Sequence, residues 1–146
     1  MSEPYCFDTN ICVGRPRAFE DDGAYLSSVV AMEVIASADP PELKGWELVW
    51  TTYQKRGRLL VPTPEDWWES AKALNRLHYR AKRANQGQAP KLTSEERLRL
   101  WNDILIAVSA RRAGVSVVTD NLKDFALIQS VCRVKFVSGD EFFLLK

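Results

Sequence analysis

Four acidic side chains stand where the surrounding pattern calls for an apolar residue or the end of a strand: Asp8, Glu33, Asp103 and Asp120. Asp8 ends the apolar run Tyr5-Cys6-Phe7, and Asp120 follows Val115, Val117 and Val118. Both therefore fall at the carboxyl ends of short predicted strands, the edge at which open α/β sheets place their ligand sites. Glu33 lies one turn from Val29 and Val30 and beside Val34, and Asp103 shares a helix face with Leu100, Ile104 and Ala107. Each interrupts a stripe expected to pack on a sheet, where an unpaired carboxylate is costly. Taken singly, Asp8 or Asp120 could cap a helix or close a turn, and Glu33 or Asp103 could pair with an arginine. As a cluster they need a cation, because two unit charges ~4 Å apart repel by about 4 kcal/mol at an effective dielectric of about 20. An all-oxygen set suits Mg2+ or Mn2+, which can activate water, neutralise phosphate and stabilise the leaving oxygen of an in-line displacement.

Other chemistries find less support. The single histidine, His78, cannot supply a His-based metal site, and Cys6, Cys12 and Cys132 lack zinc-ligand spacing. No His/Ser or His/Cys arrangement for covalent catalysis is evident, and neither a P-loop nor a Gly-x-Gly-x-x-Gly turn exists. An Asp-x-Asp phosphatase is disfavoured because Asn10 stands two residues after Asp8. The stretch Met1 to Cys6 is short and polar, and apolar runs such as Ile104 to Val108 are too short to span a bilayer. The expectation is a cytoplasmic protein with reduced thiols and no membrane partner.

The elements that must position these acids follow from periodicity. Tyr5 to Phe7 predicts a first strand, and Tyr25 to Ser37 a mostly buried helix with Ser27 or Ser28 as N-cap. Pro40 and Pro41 stop it and open a second helix that runs to Gly57. Leu59 to Val61 predicts a second strand. Thr63-Pro64-Glu65-Asp66 opens a long helix, and Asn85 to Pro90 a turn or loop. Thr93 and Glu96 stand at capping-box spacing ahead of a helix ending at Gly114. Val115 to Val118 gives a third strand, Leu122 to Gln129 a short helix, and Val134 to Val137 a final strand. Alternating strands and helices predict a parallel sheet covered on both faces. Residues 1–146, of which 46% are hydrophobic and 27% charged, fit one globular domain.

The net charge of +1 does not distinguish a nucleic-acid partner, but its distribution does more. Basic residues dominate from Lys72 to Arg99, and Arg76, Arg80 and Arg83 recur on one helix face. They could reach nucleic-acid phosphates beyond a metal site, although a solvated helix would show the same spacing. Arg15 and Arg17 could contact phosphate near Asp8. Trp46, Trp50, Trp67, Trp68 and Trp101 all fall in predicted helices, where packing or interface roles outweigh base stacking. With Phe142 and Phe143 they suggest exposed apolar surface, part of it an interface.

In Phe7-Asp8-Thr9-Asn10-Ile11, Ser28 to Ile35 with Glu33, Asn102-Asp103-Ile104-Leu105-Ile106-Ala107, and Val118-Thr119-Asp120-Asn121 with Asp124-Phe125, the chain resembles the PIN domains, and within them the VapC-type toxins. The resemblance implies a three-layer α/β/α domain with a central, mostly parallel sheet. It implies acidic catalytic and metal-binding residues at Asp8, Glu33, Asp103 and Asp120, with Thr9, Asn10, Thr119, Asn121 and Asp124 supporting them. In this family the fourth acidic position shifts within the turn after the strand, so Asp124 competes with Asp120. The activity implied is Mg2+- or Mn2+-dependent endoribonuclease action, as the toxin of a toxin–antitoxin pair, with RNA as substrate, a cognate antitoxin as partner and a homodimer as assembly. The alternatives are a PIN nuclease of RNA processing without an antitoxin, and a non-catalytic PIN-like binding module.

Overall fold

The computed structural model describes residues 3–14, 23–88 and 92–144. Five short strands form one sheet: β1 (Tyr5–Phe7), β2 (Ala24–Ser27), β3 (Leu59–Leu60), β4 (Ser116–Val118) and β5 (Phe136–Val137), in the order β3-β2-β1-β4-β5. Every pairing is parallel, with Phe7 opposite Val118 and Val118 opposite Val137. Among the described residues the helices are α1 (Thr9–Gly14), α2 (Ser28–Ala36), α3 (Leu43–Lys55) after a 3-10 turn at Pro40–Glu42, α4 (Pro64–Ala84), α5 (Ser94–Ala113), α6 (Leu122–Gln129) and α7 (Gly139–Leu144). The result is a three-layer α/β/α architecture. None of these helices is long and apolar enough to cross a membrane.

From β1 the chain winds outward to β2 and β3, then returns through α4 and α5 to β4 on the other side. Neighbouring strands β1 and β4 thus mark the point where the order reverses, and the edge outside their carboxyl ends is where such sheets place their ligand sites. The central strands are buried on both faces: Cys6, Val117 and Val118 are fully inaccessible.

Local chemistry explains the boundaries. Ser27 caps α2 by accepting from the Val29 amide. At α4, Thr63 and Asp66 form a reciprocal capping box, with Pro64 in the first helical position. Thr93 caps α5, and Gly114, at φ 69°, closes it in the left-handed conformation that suits glycine.

Three expectations are corrected. The helix expected from Tyr25 begins at Ser28, because Ala24–Ser27 is a strand between β1 and β3; a continuous apolar run buried on both faces carries no strand periodicity. The strand at Leu59 is therefore the third, not the second. Two helices had no forecast, α1 directly after Asp8 and α7 at the end of the described chain. Phe142 and Phe143 are not free apolar surface: Phe142 packs on Tyr5 at 4.6 Å between centroids, and Phe143 stacks on Phe7 at 5.9 Å.

Candidate active site

Asp8 leaves β1 at the switch point and opens α1, its carbonyl accepting from the amides of Ile11 and Cys12. Its side chain is buried. Oδ1 accepts from the Thr9 amide at 2.8 Å; Oδ2 accepts from the Thr119 hydroxyl at 2.8 Å and from Asn10 Nδ2 at 3.3 Å. Thr119 is placed by β4 pairing with β1, and its hydroxyl oxygen in turn accepts from the Asn121 amide at 3.0 Å.

Glu33 projects from α2 to accept from the Thr9 hydroxyl at 3.1 Å. Asp103 and Asp124, from α5 and α6, share one donor group. The Asn121 carboxamide gives 3.2 Å to Asp103 Oδ2 and 2.9 Å to Asp124 Oδ2.

These carboxyls act on one another. Burial, then the charges of Asp8, Glu33 and Asp124, pushes Asp103 up to about 8, against a smaller pull downward from the Asn121 bond. Burial is also the largest cause raising Asp8, partly opposed by its bonds from Thr119 and Thr9, and Asp124 adds to the rise. Glu33 is raised by burial too, with the bond from Thr9 opposing. Among the described residues no lysine or arginine lies within salt-bridge distance of these four acids.

Of the residues singled out from sequence, the structure brings together Asp8, Thr9, Asn10, Glu33, Asp103, Thr119, Asn121 and Asp124. Asp120 has a different partner: Oδ1 accepts from the Gly139 amide at 2.9 Å, while its own amide donates to Asn10 Oδ1 at 3.1 Å. Arg76 and Arg80 donate to the Val131 and Ser130 carbonyls, each at 3.2 Å, just past the far end of α6 from Asn121. Arg83 is exposed on the same helix. Arg15, Arg17 and Lys91 lie outside the described residues.

Sequence reasoning quoted Asn102 within the matched run but gave it no role; it is buried, and its side chain helps hold the Glu33 carboxyl down against the effect of burial. Its signal was available: Asn102 and Asp103 are consecutive polar residues opening the buried run 102–110 of α5.

Among the described residues no three His, Cys, Asp or Glu side chains already converge on a common point at ligand distance. The donor chemistry nonetheless fits a hard divalent cation: four carboxyls on three helices and one strand end, repelling one another, with hydroxyl and carboxamide groups orienting them.

The PIN domain family model matches residues 5–129. Among solved structures, VapBC2 from Rickettsia felis bound to a DNA fragment from its promoter is similar at 17% identity, over 92% of this chain and 97% of that one, with a TM-score of 0.50. FitAB bound to an IR36 DNA fragment is similar at 17% identity, over 92% and 94%, with a TM-score of 0.52. At such identity the likeness is one of fold. Comparison with curated proteins gives no significant match.

Proposed function

The chain belongs to the PIN domain family, and on that premise we propose that residues 1–146 are a single nuclease domain that hydrolyses RNA phosphodiester bonds with a divalent metal, as the toxin of a VapBC-like toxin–antitoxin pair. The observation that carries this reading is the gathering of Asp8, Glu33, Asp103 and Asp124, with Thr9 bonded to both Asp8 and Glu33 and the Asn121 carboxamide shared between Asp124 and the buried Asp103. A protein does not gather like charges at a sheet's switch point for stability; such a set is suited to a cation and its anionic substrate.

Asp8, Glu33, Asp103 and Asp124 would hold Mg2+ or Mn2+. Asp124 takes the fourth place in preference to Asp120 because it shares the Asn121 carboxamide with Asp103. A bound divalent ion supplies activated water and neutralises the phosphate. The chain's own part is orientation: Thr119 and the Thr9 amide fix both oxygens of Asp8, and the Thr9 hydroxyl fixes Glu33.

Substrate RNA would extend from the acids along α6. Its eight residues rise ~12 Å, a distance one strand can cover to reach Arg76, Arg80 and Arg83. Arg76 and Arg80 each use Nη1 on a backbone carbonyl, which leaves other guanidinium donors for phosphate. Antitoxin and a second copy of the chain would cover exposed apolar side chains, among which Trp67 and Trp68 are 59% and 66% accessible.

The test is a map of RNA ends after brief induction of the wild type beside Asp8→Asn. New ends at defined sequences with the wild type alone are expected, and purified protein should cease cleaving in excess EDTA. Equal cleavage by Asp8→Asn, or full activity in EDTA, would overturn the proposal.

A further inference from the structure

Helix α7 lies beyond the segment matched by the family model, which ends at residue 129, yet it is joined to Asp8 by hydrogen bonds in series. The buried Gly139 amide donates to Asp120 Oδ1 at 2.9 Å. The Asp120 amide donates to Asn10 Oδ1 at 3.1 Å, and Asn10 Nδ2 donates to Asp8 Oδ2 at 3.3 Å. Gly139 is also sterically specified. A Cβ there would stand 2.7 Å from Asp120 Oδ1 and 2.7 Å from Ile11 Cδ1, closer than real Cβ contacts come. The other end of the connection is packed in place, Phe142 and Phe143 lying against Tyr5 and Phe7 of β1, the strand that ends at Asp8.

We infer that Asp120 is a positioning residue rather than a metal ligand: it clasps α7 to the turn after β4 and, through Asn10, sets the orientation of the Asp8 carboxylate. The inference rests on the nuclease reading for its effect on activity, but the clasp itself concerns the protein's own bonds. An acceptor oxygen is what Gly139 requires at this position, and a negative charge is not. Asparagine supplies that oxygen; alanine does not.

Asp120→Asn, Asp120→Ala and Gly139→Ala are therefore compared with the wild type by Mn2+ titration calorimetry, by kcat and KM on RNA, and by amide exchange at Thr9 and Gly139 in metal-free protein. Asp120→Asn is expected to stay within about twofold of wild type, whereas Asp120→Ala and Gly139→Ala lose Mn2+ affinity by about tenfold, as orienting partners of metal ligands do. The loss should fall on kcat, with KM little changed, and Thr9 should exchange faster in the two alanine variants alone. If Asp120→Asn falls as far as Asp120→Ala, the charge is a ligand and the inference is overturned; it is also overturned if Asp120→Ala matches wild type. If the wild type binds no Mn2+ and cleaves no RNA, the nuclease reading fails, and amide exchange decides the clasp alone. Faster exchange at Thr9 and Gly139 in Asp120→Ala but not in Asp120→Asn sustains it, and equal exchange in all proteins overturns it.

Discussion

Thr119 donates its hydroxyl to Asp8 at 2.8 Å although 111 positions separate them in the chain. The two meet because Phe7 and Val118 are paired in register on adjacent parallel strands. Thr119 is fully buried, and the same oxygen accepts from the Asn121 amide. Thr119→Val keeps the shape and removes these two bonds together with a third, longer one that the hydroxyl accepts from Asn10 Nδ2 at 3.4 Å. It is expected to lower cleavage by 10- to 100-fold, on the order seen for groups that orient metal ligands, and to cost about 1–3 kcal/mol by leaving the buried Asp8 oxygen short of a donor and the part-buried Asn121 amide without its acceptor. Single-turnover cleavage and urea unfolding measure the two; an unchanged rate would remove Thr119 from the site.

The acidic cluster should make the metal-free protein less stable as pH rises. Asp103 is raised to about 8, and Asp8 and Glu33 are raised as well, burial being the leading cause in each. Unfolded carboxyls titrate near ~4, so between about pH 4 and about pH 8 the folded state binds more protons than the unfolded one, and stability falls across that window. Thermal melts in chelator should shift downward from about pH 5 to about pH 8. Asp103→Asn should flatten the trend, and Mn2+ should restore most at the alkaline end, where its ligands are ionised. A melting temperature that climbs steadily over this range would contradict the cluster.

Arg112 ties the end of α5 to the start of α4. Its Nε lies 2.8 Å from the buried Asp66, and Nη2 donates to the Val61 carbonyl at 3.2 Å. Asp66 also accepts from the Thr63 amide. Arg112→Ala leaves that carboxylate with local partners only and is expected to cost about 1–3 kcal/mol, with Arg112→Lys recovering part. Urea midpoints decide it, and wild-type stability in Arg112→Ala would show that the pair contributes nothing net.

The basic face of α4 makes a separable prediction. In an Asp8→Asn background, RNA affinity against salt should have a slope smaller by ~0.7 for each phosphate-contacting arginine removed. Arg76→Ala and Arg80→Ala should also lose a little stability, because their bonds past the end of α6 go with them. Arg83→Ala should weaken RNA binding alone. A triple variant with unaltered slope assigns the face to solvent or to the antitoxin.

The sequence was most legible where side chains act locally. Capping residues Thr63 and Thr93 mark their helices, and acids breaking apolar stripes mark Asp8, Glu33 and Asp103. It was least legible where a neighbour in space decides. Nothing local distinguishes β2 from the first turn of a helix, because Leu26 and Ser27 become a strand only between β1 and β3. Likewise Asp120 and Asp124 are equally acidic, and their surroundings differ only through partners the local sequence does not show: Asp120 accepts from the distant Gly139 amide, whereas Asp124 shares the Asn121 carboxamide with Asp103.

The placement of β1 also bears on when activity can begin. The strand at residues 5–7 emerges from the ribosome well before its partner at 116–118. Until that late pairing forms, Asp8 has neither Thr119 nor Asn121's neighbourhood, and the long-range closure is slow relative to local helix formation. A nascent chain that stops short of residue 116 therefore carries Asp8, Glu33 and Asp103 but not Thr119, Asn121 or Asp124, and under the proposed function it would hold no assembled centre until the segment after β4 has followed.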